Sequence, residues 1–422
     1  MADFDCVQLT VVFESGMYCA AKTGKDHVTI LFLKVKLVQL ISIDATYVLR
    51  EKALYENLGG RRVSNFLKLF SLPKLSVPFL FIFIQLLGGT QVIGETCGQP
   101  IGSSQDGLII CDLGVLEGGD RSRATAISDD GLVVVGQSTS SLGERAFRWT
   151  ETDGMVSLGT LPGGSKSIAW GVNADGSVIV GRSDSSAGSR AFRWTEETGM
   201  VLLTGEAMND LSDARAVNSD GTVVVGTIGS VFGGGRYAFS WTAKDGTQRV
   251  GTDDSVAFGV SSDGTTVVGQ VGFSAFRWTE EEGMILLEQE PDPFVSMARN
   301  ASGDGVIIVG NSGPLNSTSI ATMWGEVSGQ GNLLVDAAST RSIVNDISPD
   351  GTTIVGSVGG ISQQMAFIEV LKENLTLLGG LKPQEEDTVS SDAKGVSADG
   401  SLIAGSSDGV DGRRAVRWMH LD

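Results

Sequence analysis

The chain has 422 residues, 41% hydrophobic and 19% charged, so it carries enough apolar surface for a core and is not a disordered tract. Gly occurs 57 times, well above the usual share of about 7%, while Pro occurs only nine times, which points to many tight turns. A net charge of −19 excludes sequence-independent binding to a nucleic-acid backbone, because that affinity comes from cations neutralising phosphates.

Two unlike segments share this composition. Residues 1–94 hold ten basic and seven acidic residues and only seven of the Gly, whereas the rest holds 21 basic and 43 acidic residues. Residues 1–60 read as a doubtful N-terminal extension or a mis-assigned start. Val28–Ile43 is an apolar run broken by Lys34 and Lys36, without a clear helical or strand period. Residues 61–94 read as a signal peptide. Arg61, Arg62, Lys68 and Lys74 precede an apolar stretch from Val77 to Leu87, no charge occurs from Leu75 to Gly94, and small residues follow at Gly88, Gly89 and Gly94. The alternatives are an uncleaved anchor, since the uncharged window reaches the usual spanning length, and an ordinary buried element. Leu58 and Val63 are candidate non-Met starts. Residues 95–106 form a linker. Of the four Cys, Cys97 and Cys111 remain after cleavage, and a disulfide between them suits an oxidising compartment.

From residue 107 the chain repeats. Seven octapeptides end in Asp-Gly, from Ala-Thr-Ala-Ile-Ser-Asp-Asp-Gly at Gly131 through Ala-Trp-Gly-Val-Asn-Ala-Asp-Gly at Gly176 to Ala-Lys-Gly-Val-Ser-Ala-Asp-Gly at Gly400. Those between them end at Gly221, Gly264, Gly305 and Gly351, with spacings of 45, 45, 43, 41, 46 and 49. In every copy another Gly follows five residues later, after a run such as Leu-Val-Val-Val. Each copy reads as four strands. The first ends at the Asp-Gly, which favours a two-residue type I′ hairpin. The second is the Val/Ile run, buried on both faces. The third is Arg-Ala-Phe-Arg-Trp-Thr at 145–150 and its relatives, and the fourth is a short strand such as Met155–Leu158.

Six of the seven Trp share one place in the third strand (Trp149, Trp194, Trp241, Trp278, Trp324 and Trp418), and Glu369 takes the seventh. Burying a Trp removes roughly 150–250 Å² from water, about 4–6 kcal/mol of gross stabilisation. A neighbouring sheet must cover them, so core packing outweighs ligand stacking. The last copy ends at Trp418–Asp422 without a fourth strand, while Asp106–Gly119 resembles the fourth-strand stretch of the first copy. The two ends therefore pair, and residues 107–422 form an all-β, seven-bladed β-propeller closed by its N- and C-terminal strands in one blade.

These repeats resemble the HAF repeats of predicted extracellular bacterial proteins, named for a His-Ala-Phe triplet. Here the triplet stands as Arg145-Ala146-Phe147 and Arg190-Ala191-Phe192, with Trp two residues on and Leu-Pro-Gly-Gly between. No copy keeps the His, so no role of that His carries over. The resemblance implies secretion and a propeller-like β fold, and no established activity. WD40 and kelch propellers fit less well.

Chemistry is sparse. His27 and His420 form no pair for a metal or a triad, and the repeated Asp (Asp130, Asp175, Asp220, Asp263, Asp304, Asp350 and Asp399) is explained by turn chemistry. Arg148, Arg193, Arg277 and Arg417 share a position and read as structural. No catalytic, cofactor-binding or metal residue is assigned. Function falls to loops held by the scaffold, and the second-to-third loops are Ser/Gly-rich: 137–144, 182–189, 227–235, 311–320, 357–364 and 406–413. Phe232 and Phe273 are almost their only aromatics.

The expectation is a monomeric, non-enzymatic module, extracellular, periplasmic or at the cell surface. It binds an extracellular protein or glycan through that face, without nucleic acid, and touches a membrane only through 75–94 if uncleaved. The alternative is a propeller hydrolase or lyase using carboxylates at the ring mouth, such as Asp184, Asp408 or Asp411. N-terminal sequencing of the secreted protein is expected to give a first residue close after the Gly88–Gly94 stretch; a first residue before Gly60 contradicts the leader reading.

Overall fold

The computed structural model describes residues 7–11, 14–22, 27–34, 37–44, 108–203, 210–230, 235–287, 294–314, 319–325, 332–333, 341–360, 364–370, 375–381 and 389–420. The chain divides into two compact units, Met1–Ile93 and Gly94–Asp422. In the first, Val7–Val11, Glu14–Lys22, His27–Lys34 and Leu37–Asp44 form an antiparallel meander in chain order. The apolar run without a clear period is thus two strands of that sheet. The signal-like segment and Cys97 lie outside the described residues.

The second unit is a seven-bladed β-propeller. Blade 1 is Ser122–Ile127, Val133–Ser138, Arg145–Thr150 and Gly154–Gly159; blade 2 is Ser167–Val172, Val178–Ser185, Gly188–Thr195 and Gly199–Leu202. Blade 3 is Asp210–Val217, Val223–Ser230, Arg236–Thr242 and Gly246–Arg249, and blade 4 is Ser255–Val260, Val267–Val271, Ser274–Thr279 and Gly283–Leu286. Blade 5 is Phe294–Ala301, Ile308–Pro314, Ile320–Trp324 and Asn332–Leu333, and blade 6 is Arg341–Ile347, Thr353–Gly359, Gln364–Val370 and Leu375–Leu377. Blade 7 takes Ser391–Val396, Leu402–Gly409 and Gly412–His420 from the end of the chain and Leu108–Asp112 from the start of the ring. Ile110 pairs with Trp418 and Cys111 with Arg417, so the closure expected from the unequal ends is present. Cys111 is buried and disulfide-bonded, with its partner outside the described residues. The first strands contact one another right round the ring and enclose a central channel.

The Asp-Gly hairpins differ from the expected two-residue form. In blade 1, Gly131 N donates to Ser128 O (2.8 Å) and Ser128 N to Val133 O (2.9 Å), so the turn spans Ser128–Gly131 and only Gly131 takes positive φ, 71°. Asp130 keeps negative φ because its work is side-chain hydrogen bonding: its Oδ1 accepts from Leu132 N (3.0 Å) and Ser128 Oγ (2.5 Å). A type I turn followed by a left-handed Gly suits that Asx contact, whereas type I′ needs positive φ at both central residues. Such hydrogen bonds hold the carboxyls of Asp175, Asp220, Asp304 and Asp399 below their ordinary range.

The second Gly of each repeat sits at the tightest point of the blade. Gly136 pairs with Ala124 on one side and Phe147 on the other, and a Cβ there would collide with the Arg123 carbonyl. The Phe ring fills that space: Phe147, Phe192, Phe239, Phe276 and Phe367 are fully buried. The Trp position is less uniform. Trp149, Trp324 and Trp418 are buried, whereas Trp194, Trp241 and Trp278 are only half-buried at the blade interfaces. Arg417 spans the closing interface with its guanidinium 4.9 Å from the Trp149 ring centre, in keeping with a structural role.

One hydrogen bond recurs at every interface between blades. The N–H of the third-strand Ala donates to the Oγ of a Ser at or near the start of the next inner strand. The pairs are Ala146 to Ser167, Ala191 to Ser212, Ala238 to Ser255, Ala275 to Ser296, Ala321 to Ser342 and Ala366 to Ser391, all at 2.8–2.9 Å. Ala415 to Ser122, at 2.9 Å, completes the circle.

The half-burial of the Trp residues changes the stability ranking along the third strand. Phe192→Ala is expected to cost about 3–5 kcal/mol and Trp194→Ala clearly less, about 1–2 kcal/mol, because its cavity opens to solvent. Urea unfolding of the two variants checks the order; equal losses contradict it.

Candidate functional site in the central channel

Every inner strand carries a β-bulge at the same place. The register jumps between Ala124 and Ala126, Ala169 and Gly171, Ala214 and Ala216, and Ala257 and Gly259, and again between Ala298 and Asn300, Val344 and Asp346, and Ala393 and Gly395. The unpaired residue in each jump is Thr125, Trp170, Arg215, Phe258, Arg299, Asn345 or Lys394. A bulge leaves its extra residue outside the ladder and re-aims it. All seven line one cavity of about 270 Å³ in the channel, together with residues that follow them.

The cavity extends from the bulges toward the Asp-Gly turns. Asp129, Ala174, Ser219, Ser262 and Pro349, each the residue before a turn Asp, line that end. Backbone hydrogen bonds tie these turns to one another. Asp130 N donates to Ala174 O, Ala174 N to Ser219 O, Ser219 N to Ser262 O, Asp263 N to Gly303 O, Gly303 N to Pro349 O, and Ala398 N to Asp129 O. Pro349 has no N–H, so the step from blade 6 to blade 7 is the one it cannot make. Ser219 Oγ reaches Asp129 Oδ2 at 3.1 Å, and burial pushes the Asp129 carboxyl up despite that bond.

The ring of bulge residues is chemically sided. In blades 2–4, the Arg215 guanidinium lies 4.5 Å from the Trp170 ring centre and 2.6 Å from Asp213 Oδ2, and Phe258 is the bulge residue of the blade that follows. Burial pushes the Asp213 carboxyl up, against the pull of Arg215, Arg182 and the Trp170 N–H. In blades 5–7, Asn345 Nδ2 donates to Asp392 Oδ1 (3.0 Å) and Ala393 O (2.7 Å), and the Lys394 ammonium lies 2.6 Å from Asp392 Oδ2. Arg299 donates through Nε to Asn311 Oδ1 at 3.1 Å. Burial lowers its pKa, Asp392 opposes that, and repulsion from Arg215 and Arg341 adds to it.

The residue after the bulge abuts the next inner strand and is small in five blades: Ala126, Gly171, Ala216, Gly259 and Gly395. Blades 5 and 6 place Asn300 and Asp346 there instead. Asn300 Nδ2 and Ile347 N donate to Asp346 Oδ1, and Val396 N donates to Oδ2 at 3.0 Å, so one carboxyl joins three blades. Burial outweighs these donors and raises its pKa to about 6.

Asp184, Asp408 and Asp411 lie elsewhere. Asp184 accepts from Ser165 Oγ (3.1 Å), Asp408 pairs with Arg413 (3.0 Å), Asp411 is exposed in a two-residue turn, and none lines the cavity. The second-to-third segments are also less loop-like than expected, since strands run to Ser185 and from Gly188, and to Gly409 and from Gly412. Ser/Gly-rich composition there reflects extended hairpins. Phe273 is exposed at one such tip, and Phe232 lies outside the described residues. Sequence reasoning passed over the channel, although its signal was present: the second and sixth positions of an otherwise constrained octapeptide vary most. Among the described residues no group of three or more His, Cys, Asp or Glu is placed to hold a metal ion. Among them, too, no helix is long and apolar enough to cross a membrane.

No protein-family model matches the chain. No curated protein matches it in sequence. Solved structures do resemble it in fold. An oligogalacturonate lyase from Vibrio parahaemolyticus superposes with a TM-score of 0.51 at 9% identity, covering 76% of this chain and 96% of that one. An oligogalacturonate lyase in complex with manganese gives 0.51 at 12% identity, covering 77% and 96%. TolB from Acinetobacter baumannii gives 0.40 at 13% identity, covering 86% and 75%. At such identities the likeness is one of fold.

The raised Asp346 carboxyl makes stability depend on pH in a defined direction. Below about pH 4 both states hold the proton; as pH rises to about 6 the unfolded chain loses it first, so folding weakens and then levels off. For a carboxyl moved from 3.8 to about 6 this amounts to roughly 3 kcal/mol. Asp346→Asn is expected to lack this decline. Urea unfolding of both proteins from pH 4 to 7.5 checks it, because the other carboxyls cancel in the difference; parallel curves contradict the assignment.

Proposed function

We propose that this chain is a HAF-repeat propeller that works outside the cytoplasm as a non-enzymatic interaction module, receiving part of a protein or glycan at the turn end of its channel. One observation carries the reading: the positions that vary within a constrained repeat are those that line one cavity. A closed ring that leaves only short outer-strand edges suits a monomer. The disulfide at Cys111 and the uncharged segment 75–94 support an oxidising compartment beyond a membrane.

A second reading is a lyase. Two oligogalacturonate lyases share the fold, and the channel holds cations suited to neutralising a carboxylate. Lys394 is poorly placed to act as the base of such chemistry, because its side-chain nitrogen is engaged by the Asp392 carboxylate at 2.6 Å. The two readings part in one experiment: surface plasmon resonance of the full chain against oligosaccharides and peptides, with chromatography of the eluted ligand. The module is expected to release its ligand unchanged, to lose at least tenfold in affinity on Trp170→Ala, and to be indifferent to Asp411→Asn at the far end. Shortened sugars with unsaturated ends would favour the lyase.

A further inference from the structure

Arg299 is the least accommodated charge in the channel. Its Nε is spent on Asn311, its two terminal nitrogens have no hydrogen-bond partner among the described residues, and Arg215 and Arg341 repel it against the attraction of Asp392. The acids nearby are committed elsewhere: Asp213 to Arg215, Asp392 to Lys394 and Asn345, Asp346 to Asn300 and two backbone N–H groups. A half-buried cation whose one attracting carboxylate, Asp392, is already paired with Lys394 is unfavourable for the empty fold and becomes favourable when an anion fills the place. A free guanidinium edge is a planar fork, which matches a carboxylate bidentately.

The rest of the cavity narrows the ligand further. Its volume of about 270 Å³ is near the lower end of small-molecule pockets and admits a terminal unit, not a folded partner. The wall across blades 2–4 presents Trp170, Arg215 and Phe258, flat faces interleaved with donors, which suits a ring with apolar C–H faces and hydroxyl edges. Residues 95–422, which include the ring, hold 21 basic and 43 acidic residues, which disfavours a polymer of high charge density and tolerates one charge per unit. Resting on the binding-module reading, we propose that the ligand is the terminal unit of an acidic saccharide, with its carboxylate on Arg299 and its ring along the Trp170–Arg215–Phe258 wall.

Isothermal titration of the full chain tests this with four probes: a trisaccharide of uronic acid, its methyl ester, a sulfated trisaccharide of equal length, and acetate. The acid form is expected to bind and the ester at least tenfold more weakly. Arg299→Gln is expected to weaken the acid form tenfold or more and to leave the Tm equal or higher, because it relieves a buried cation. Arg249→Gln, on an outer strand, leaves binding unchanged. Equal binding of acid and ester, equal or tighter binding of the sulfated form or of acetate, or indifference to Arg299→Gln overturns the proposal. A Tm several degrees lower in Arg299→Gln overturns it too, since Arg299 would then be a strut. If a peptide binds and no saccharide does, the ligand class falls and the module reading stands. If the acid form binds and is cleaved, the ligand class stands and the module reading falls.

Discussion

Seven serine hydroxyls hold the propeller together. The third strand of each blade has a buried Ala; in blades 2, 3, 4, 6 and 7 its carbonyl is reached by its own fourth-strand segment, as Leu203 N reaches Ala191 O, while its N–H turns to the neighbouring blade. A buried donor left unmet costs about 1–3 kcal/mol. The Ser at or near the start of the next inner strand meets it, so each blade is complete only when its neighbour is in place. Because the last donor, Ala415, is met by Ser122 of blade 1, the requirement closes on itself. Pairing of Leu108–Asp112 with the final strand then seals the sheet that spans the two ends.

Closure has a consequence at the centre. Seven inner strands converge on one axis, and their backbones come close enough that five blades tolerate only Ala or Gly at the contact point. A strand that kept its pairing there would drive side chains into its neighbour. The bulge resolves this by inserting one residue, and the Gly opposite it, Gly136 in blade 1, leaves room for the displaced carbonyl. The displaced residue has nowhere to go but the channel. The scaffold therefore produces a ring of seven independent side chains, and its regularity elsewhere leaves their chemistry free to vary.

Legibility in the sequence followed from whether a feature repeated. Asp-Gly pairs, Val/Ile runs and the Phe and Trp positions recur with fixed spacing, so blade number, strand order and closure could be read directly. The type of turn could not, because Asp-Gly is compatible with two hairpins and the choice rests on Ser128 or its equivalents, whose side chain bonds the Asp. The half-buried Trp194, Trp241 and Trp278 also escaped, since spacing reports a face of the strand and not the depth of the neighbouring blade. The channel was missed for the opposite reason. Thr125, Trp170, Arg215, Phe258, Arg299, Asn345 and Lys394 share no chemistry, and a search for recurring polar residues passes over a position defined by its lack of recurrence.

Departures from the repeat are not scattered. Asn300 and Asp346 replace small residues at the inner contact, Pro349 removes a turn-to-turn hydrogen bond, and Glu369 replaces a Trp with one carboxyl oxygen buried and unpartnered. All lie in blades 5 and 6, the arc that also holds Arg299 and Asn345. Each weakens the scaffold: a raised carboxyl at Asp346, a missing link at Pro349, lost apolar burial at Glu369, a cation disfavoured by burial at Arg299. Blades 1–4 keep the regular Phe, Ser and Gly contacts throughout and supply the stability that this arc gives up. A ring with sevenfold redundant rivets tolerates such losses in one sector, where an open stack would fray from its weakest end. Local rules broken together on one side of a single cavity are the mark of a site kept for what it holds.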